Sequence, residues 1–127
     1  MKKIGTVCFI IENGTVLLAH IQYRDGRLLW NGIGGGVEPG ETPTQAVIRE
    51  VSEETKMTLS PDGIRDVLTI NLQDLELHVF ISEQWHGELE IIDPTLKELR
   101  WFALDDVPYA HMHEGNDEWL PRILGSL

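Results

Sequence analysis

Five glycines fall within the eleven residues from Trp30 to Gly40, and a strongly signalled helix follows at once. Backbone that dense in glycine can take positive φ and come close to a ligand. Thr42, Pro43 and Gln45 read as N-cap, first helical residue and capping-box partner. The spacing therefore predicts a helix from Pro43 to about Lys56, with the residues before it forming a loop or a short strand merging into one. A chain with this joint must fold so that a closely approaching backbone lies against a rigid helix.

The helix carries an unusual load. At about 100° per residue, and with Glu50 as origin, Glu54 falls at roughly +40° and Glu53 at roughly −60°. Val47, Ile48 and Val51 occupy the adjoining arc and supply the stripe that packs on a sheet, so the acids border the core. Like charges at these spacings cost a helix a few tenths of a kcal/mol per pair. A divalent-cation site accounts for their concentration, since hard oxygen ligands suit magnesium or manganese. A solvated acidic face is the alternative.

Around this centre the pattern is of mixed strands. Lys3 to Glu12 and Thr15 to Ile21 are apolar runs on either side of Asn13 and Gly14, which predicts a hairpin. Pro61 to Gly63 punctuate the exit from the helix, after which Ile64 to Asn71, Leu75 to Glu83 and Arg100 to Ala103 read as strands, the first two antiparallel. A last helix is expected over Glu118 to Leu124. At 127 residues, 42% of them apolar, one domain spanning residues 1–127 around one core is expected.

Charge and cysteine usage narrow the function classes. Acidic residues number 21 against 10 basic ones, a formal charge of −11. That balance opposes general nucleic-acid binding and anionic membrane surfaces. A polyanionic substrate would need divalent cations to turn the carboxylates into a phosphate-binding site. Cys8 is the lone cysteine, so no intramolecular disulfide can form; it reads as a small buried hydrophobe of a cytoplasmic protein. Its apolar run stops at Glu12, far short of a signal or membrane segment. The five histidines are scattered, which argues against zinc. Monomer and homodimer are equally open.

Residues Gly35 to Met57, GGVEPGETPTQAVIREVSEETKM, resemble the Nudix signature G-x(5)-E-x(7)-R-E-U-x-E-E-x-G-U, where U is a bulky apolar residue; eight of its nine specified positions match. The resemblance implies an α/β (α+β) Nudix fold, an α/β/α sandwich with a mixed central sheet, the box helix and a C-terminal helix. It also implies a Mg2+-dependent pyrophosphohydrolase, with Mn2+ as a possible replacement. Carried over by position, it has Glu50, Glu53 and Glu54 holding the divalent ions, aided by the Gly35 carbonyl, with Gly36 beside the substrate. Arg49 and Glu41 orient those carboxylates. The general base is Glu53 or a loop glutamate, for which Glu98, three residues before Trp101, stands nearest; Glu98 reads equally as a solvated loop residue. Lys56 departs from the pattern, replacing the glycine that ends the helix in a left-handed turn.

By layout the chain is similar to the MutT-type hydrolases of oxidised purine nucleoside triphosphates, which release a nucleoside monophosphate and pyrophosphate. The segments WNGIGGGVEPGET and VPYAHMHEGNDEW carry that likeness. It implies a nucleobase site formed by Thr6, Asn31 and Trp119, although Trp119 reads equally as a core anchor of the last helix. Gly115 and Asn116 stand where the resemblance has two base-reading aspartates, so Asn116 or Asp117 is expected to substitute and the base itself stays open. ADP-ribose, dinucleoside polyphosphates and RNA 5′ ends are alternative substrates. A silent nucleotide-binding regulatory module is a further alternative, opposed by the full set Glu41, Glu50, Glu53 and Glu54.

Overall fold

β1 (Lys3–Glu12) and β2 (Thr15–Gln22) pair antiparallel through Ile10 with Leu17, Ile11 with Val16 and Glu12 with Thr15. Asn13 and Gly14 between them both take positive φ, 50° and 74°. A two-residue turn whose twist matches its strands requires this. In this computed structural model, which describes residues 2–127, β1 then runs parallel to β6 (Leu75–Ser82), from Lys3 opposite Leu75 to Ile10 opposite Ser82. The sheet order is β3 (Leu28–Asn31), β2, β1, β6 and β5 (Ile64–Asn71), and β8 (Leu96–Ala103) also pairs with β2.

Side chains alternate across β1 and divide the core in two. Val7, Phe9 and Ile11 join Leu18, Val79, Ile81, Leu120 and Leu124 on one face. Cys8 and Ile10 join Leu17, Val47, Val51 and Phe80 on the other. The helix α1 (Pro43–Thr55) covers the second face and α2 (Asn116–Gly125) the first. A strand covered on both faces reads as a continuous apolar run, which is why Gly5 to Ile11 are all buried. The result is the expected α/β/α sandwich around a mixed sheet. No helix among the described residues is long and apolar enough to cross a membrane.

Several boundaries differ from the sequence reading. β8 begins at Leu96 and not at Arg100, because Lys97, Glu98 and Arg100 interrupt the apolar signal of a strand that buries Leu96 and half-buries Leu99 and Trp101. β3 emerges from the stretch ahead of the glycines. A two-stranded sheet of β4 (Met57–Leu59) and β7 (Trp85–Gly87) lies too short for sequence alone to reveal. α2 starts at Asn116, two residues ahead of expectation, capped by Gly115 at φ 96°.

α1 ends as its lysine requires. Lys56 adopts φ 62°, ψ 1° and its N–H reaches the Ser52 carbonyl at 3.0 Å, so a side chain with a Cβ sits in the left-handed conformation that glycine takes without strain. The compensating contact is an exposed ion pair from Lys56 Nζ to Glu90 at 2.8 Å, of a kind that contributes little. Lys56→Gly is therefore expected to raise the melting temperature by a few degrees; a melt that stays level or falls would show the ion pair to outweigh the backbone strain.

Candidate active site

The capping box is complete. Gln45 N–H donates to Thr42 Oγ1 at 3.1 Å and Thr42 N–H donates to Gln45 Oε1 at 2.9 Å. With the start of α1 thus fixed and Val47 and Val51 fully buried, Glu50, Glu53 and Glu54 have no freedom to rotate off their shared face.

Arg49 organises that face. Its Nε and Nη2 donate to the two oxygens of Glu41 at 2.7 and 3.0 Å, a bidentate fork. Nη2 also reaches the Gly36 carbonyl at 3.0 Å, while Nη1 bridges Glu50 Oε1 at 2.9 Å and Glu53 Oε2 at 3.2 Å. The guanidinium beside Glu41, with the Glu38 N–H, holds the Glu41 carboxyl below its ordinary range, and the same bonds raise the pKa of Arg49. One arginine thus ties the glycine-rich loop, the residue ahead of the helix and two helical carboxylates into one unit.

Glu54 lies deeper. Its Oε2 is buried with no hydrogen-bond partner. Burial, then the charges of Glu50 and Asp93, pushes its pKa up to about 8. Asp93 was not anticipated from sequence. Its backbone lies against the end of α1, with Ile92 N–H bonded to the Glu54 carbonyl at 2.9 Å, and its Oδ1 is fixed by Thr95 N and Oγ1, both at 2.8 Å. The Asp-Pro-Thr string marks an ordered turn, but only tertiary packing sets it beside Glu54.

Three expected placements differ in the structure. The Gly35 carbonyl accepts from both Thr6 N, at 2.8 Å, and Thr6 Oγ1, at 3.0 Å, so its lone pairs are committed to β1. The neighbouring Gly34 carbonyl has no partner among the described residues. Gly35 serves differently: a Cβ there would meet the Glu50 carboxylate at 2.5 Å, so its lack of a side chain lets the loop close on that acid. Thr6 holds this loop and is not among the residues that line the cavity on the α2 side. Glu98, the loop candidate for a base, is paired opposite His20, whose ring stacks on Trp30 at 4.4 Å, and is bonded to Arg100. That is the α2 side of the sheet, away from the box helix.

Among the described residues no three His, Cys, Asp or Glu side chains converge on a point suited to one cation. Arg49 draws Glu50 and Glu53 toward itself. The donor chemistry nevertheless fits a hard divalent ion: an unpartnered buried carboxylate oxygen, a second carboxylate whose charge acts on it, and a free backbone carbonyl.

Beyond this cluster, on the α2 side, lies a cavity of about 620 Å³ lined in part by Tyr23, Arg27, Asn31, His113, Asn116 and Trp119. Ile70, Leu72 and Leu77 form its apolar wall. Asn116 is 7% exposed and its side-chain amide has no partner among the described residues. Trp119 packs edge-on against Phe9 at 6.0 Å and also lines the cavity. Tyr23, Arg27 and His113 gave no sequence signal, because they come together only when the turn after β2 meets the segment before α2.

An α/β/α sandwich with a clustered carboxylate helix beside a glycine-lined loop and an adjoining cavity defines an enzyme class that hydrolyses a phosphoanhydride bond of a nucleotide. Residues 1–123 match the NUDIX domain, and the chain belongs to that family. It is 30% identical over 129 residues to the oxidized purine nucleoside triphosphate hydrolase of Danio rerio, covering 97% of this chain and 80% of the relative. With the Mus musculus protein of the same description it is 30% identical over 132 residues, at the same coverage. The MutT NUDIX hydrolase of Burkholderia pseudomallei superposes with a TM-score of 0.81 at 25% identity, covering 98% of this chain and 95% of that one.

Glu54 gives the site a testable pH signature. A carboxyl whose folded pKa stands near 8, against 4.5 when unperturbed, binds a proton on folding. Its contribution to stability is full below about pH 4.5 and is lost as the pH rises through about 8. A divalent ion needs the deprotonated form. In thermal melts, Mg2+ should therefore raise the melting temperature more at pH 8.5 than at pH 6, and Glu54→Gln should abolish the difference. Equal Mg2+ shifts at both pH values would show that Glu54 does not titrate with the ion.

Proposed function

We propose that the enzyme hydrolyses a purine nucleoside triphosphate, oxidised forms such as 8-oxo-dGTP among them, to the nucleoside monophosphate and pyrophosphate, with Mg2+ as cofactor and Mn2+ able to replace it. The observation that carries this reading is Asn116: a residue only 7% exposed whose side-chain amide is unpaired among the described residues and lines the cavity. The amide is open to the cavity and makes no hydrogen bond among the described residues, and a nucleobase edge offering one donor and one acceptor would match it. The likeness to the two animal hydrolases over nearly the whole chain supports the same choice.

In this reading Glu50 and Glu54, with the Gly34 carbonyl, hold the ion, and Arg49 and Glu41 keep the acids in register. When bound, the ion neutralises phosphate charge and lowers the pKa of a coordinated water. Glu53 is the acid best placed to receive a proton from the attacking water, because its side chain is 60% exposed and only one oxygen is engaged, by Arg49. Gly36 opens the phosphate side: a Cβ there would meet nothing within 4 Å.

The test is a panel of 8-oxo-dGTP, dGTP, ADP-ribose, a dinucleoside tetraphosphate and 5′-triphosphate RNA, assayed with Mg2+ for released pyrophosphate or monophosphate. Turnover should be greatest with a purine triphosphate. Glu53→Gln and Glu54→Gln should each lower kcat at least about 100-fold with the fold intact by circular dichroism. Preference for ADP-ribose, the dinucleoside tetraphosphate or 5′-triphosphate RNA would replace the substrate, and tight binding without turnover would turn the reading to a regulatory module.

A further inference from the structure

Tyr23 and Arg27 stand at opposite ends of the tight turn between β2 and β3. Tyr23 N–H donates to the Arg27 carbonyl at 2.9 Å and Gly26 N–H donates to the Tyr23 carbonyl at 3.0 Å, with Gly26 at φ 90°. The turn therefore holds the two residues at a fixed backbone spacing. Asp25 accepts from Arg27 N–H at 2.9 Å and from Nε at 2.7 Å, which aims the guanidinium and leaves both Nη groups unbonded among the described residues.

Their position is what singles them out. Both line the 620 Å³ cavity, and Arg27 is the only lysine or arginine among its described lining residues. Tyr23 packs edge-on against His113 at 4.7 Å, lies beside the Asn31 amide and also feels the charge of Glu54. It thus stands between the cavity and the carboxylate helix. A nucleotide with its base at Asn116 and its anhydride at α1 must run past this turn.

Charge sharpens the point. The chain carries −11, and Arg49, the cation of the carboxylate cluster, is already committed to Glu41, Glu50, Glu53 and the Gly36 carbonyl. Among the described residues that line the cavity Arg27 is the one cation, and although its Nε is bonded to Asp25 its Nη groups are open to an anionic substrate. The plain alternative is that Asp25 and Arg27 merely staple an exposed turn, a pairing that contributes little to stability.

We propose that Tyr23 and Arg27 form a grip for the first phosphate of the bound nucleotide, Arg27 through its free Nη groups and Tyr23 through its O–H. This rests on the reading of the cavity as the nucleobase site. The grip positions the substrate and acts without the divalent ion.

That independence supplies the experiment. Binding of dGMP and of deoxyguanosine is measured by calorimetry with EDTA present, so that any preference for the charged ligand in this acidic cleft has to come from side chains. Wild type should bind dGMP more tightly than deoxyguanosine. Arg27→Gln should weaken dGMP about tenfold and Tyr23→Phe several-fold, as loss of a hydrogen bond to a charged group does, with deoxyguanosine binding and the melting temperature unchanged. Asn116→Ala should weaken both ligands by the same factor. Unchanged binding by Asn116→Ala sinks the cavity reading on which the grip depends. With Asn116→Ala impaired, wild-type dGMP affinity in the two turn variants overturns the grip alone. So does equal binding of the two ligands by wild type, or a parallel loss of both ligands in the turn variants.

Discussion

Arg49 makes five hydrogen bonds at once, to both oxygens of Glu41, to Glu50, to Glu53 and to the carbonyl of Gly36. The site depends on that convergence. Glu50, Glu53 and Glu54 repel one another on one helix face, and the glycine-rich loop opposite them has little side-chain packing to hold it in place. A single planar cation resolves both problems, since its fork fits Glu41 bidentately while the remaining N–H groups bridge loop and helix. A lysine could supply the charge and would lack the geometry.

The neutralisation is deliberately incomplete. Arg49 reaches Glu50 and Glu53, but Glu54 stays with a buried oxygen unpaired and with Asp93 pressing a further negative charge against it. A carboxyl in that position keeps a proton until something of higher charge replaces it. A divalent ion held here, as proposed, would relieve that repulsion.

The fold places this machinery by dividing its two tasks between the two faces of one sheet. The α1 face carries the acids, with Thr6 tying the glycine loop to β1. The α2 face carries the cavity, with Asn116 and Trp119 on its helix. The turn holding Tyr23 and Arg27 projects where the two tasks meet. Glu98 illustrates the cost of reading a strand by proximity in sequence: it lies close to Trp101, yet alternation turns Leu99 and Trp101 toward α1 and leaves Glu98 on the other side.

From sequence alone the helix, its cap, the three acids on one face and their arginine were all legible, because each follows from contacts between residues within about a dozen positions of one another. The hairpin at Asn13-Gly14 was legible for the same reason, as was the strain at Lys56, since a helix end is a local event. Tertiary structure alone decided which carbonyl is free, Gly34 or Gly35, because that depends on which one β1 claims. It alone brought Asp93 to Glu54, and Tyr23 and Arg27 to His113. Those partners are separated by tens of residues, carry no periodicity, and meet only through the order in which the strands are stacked.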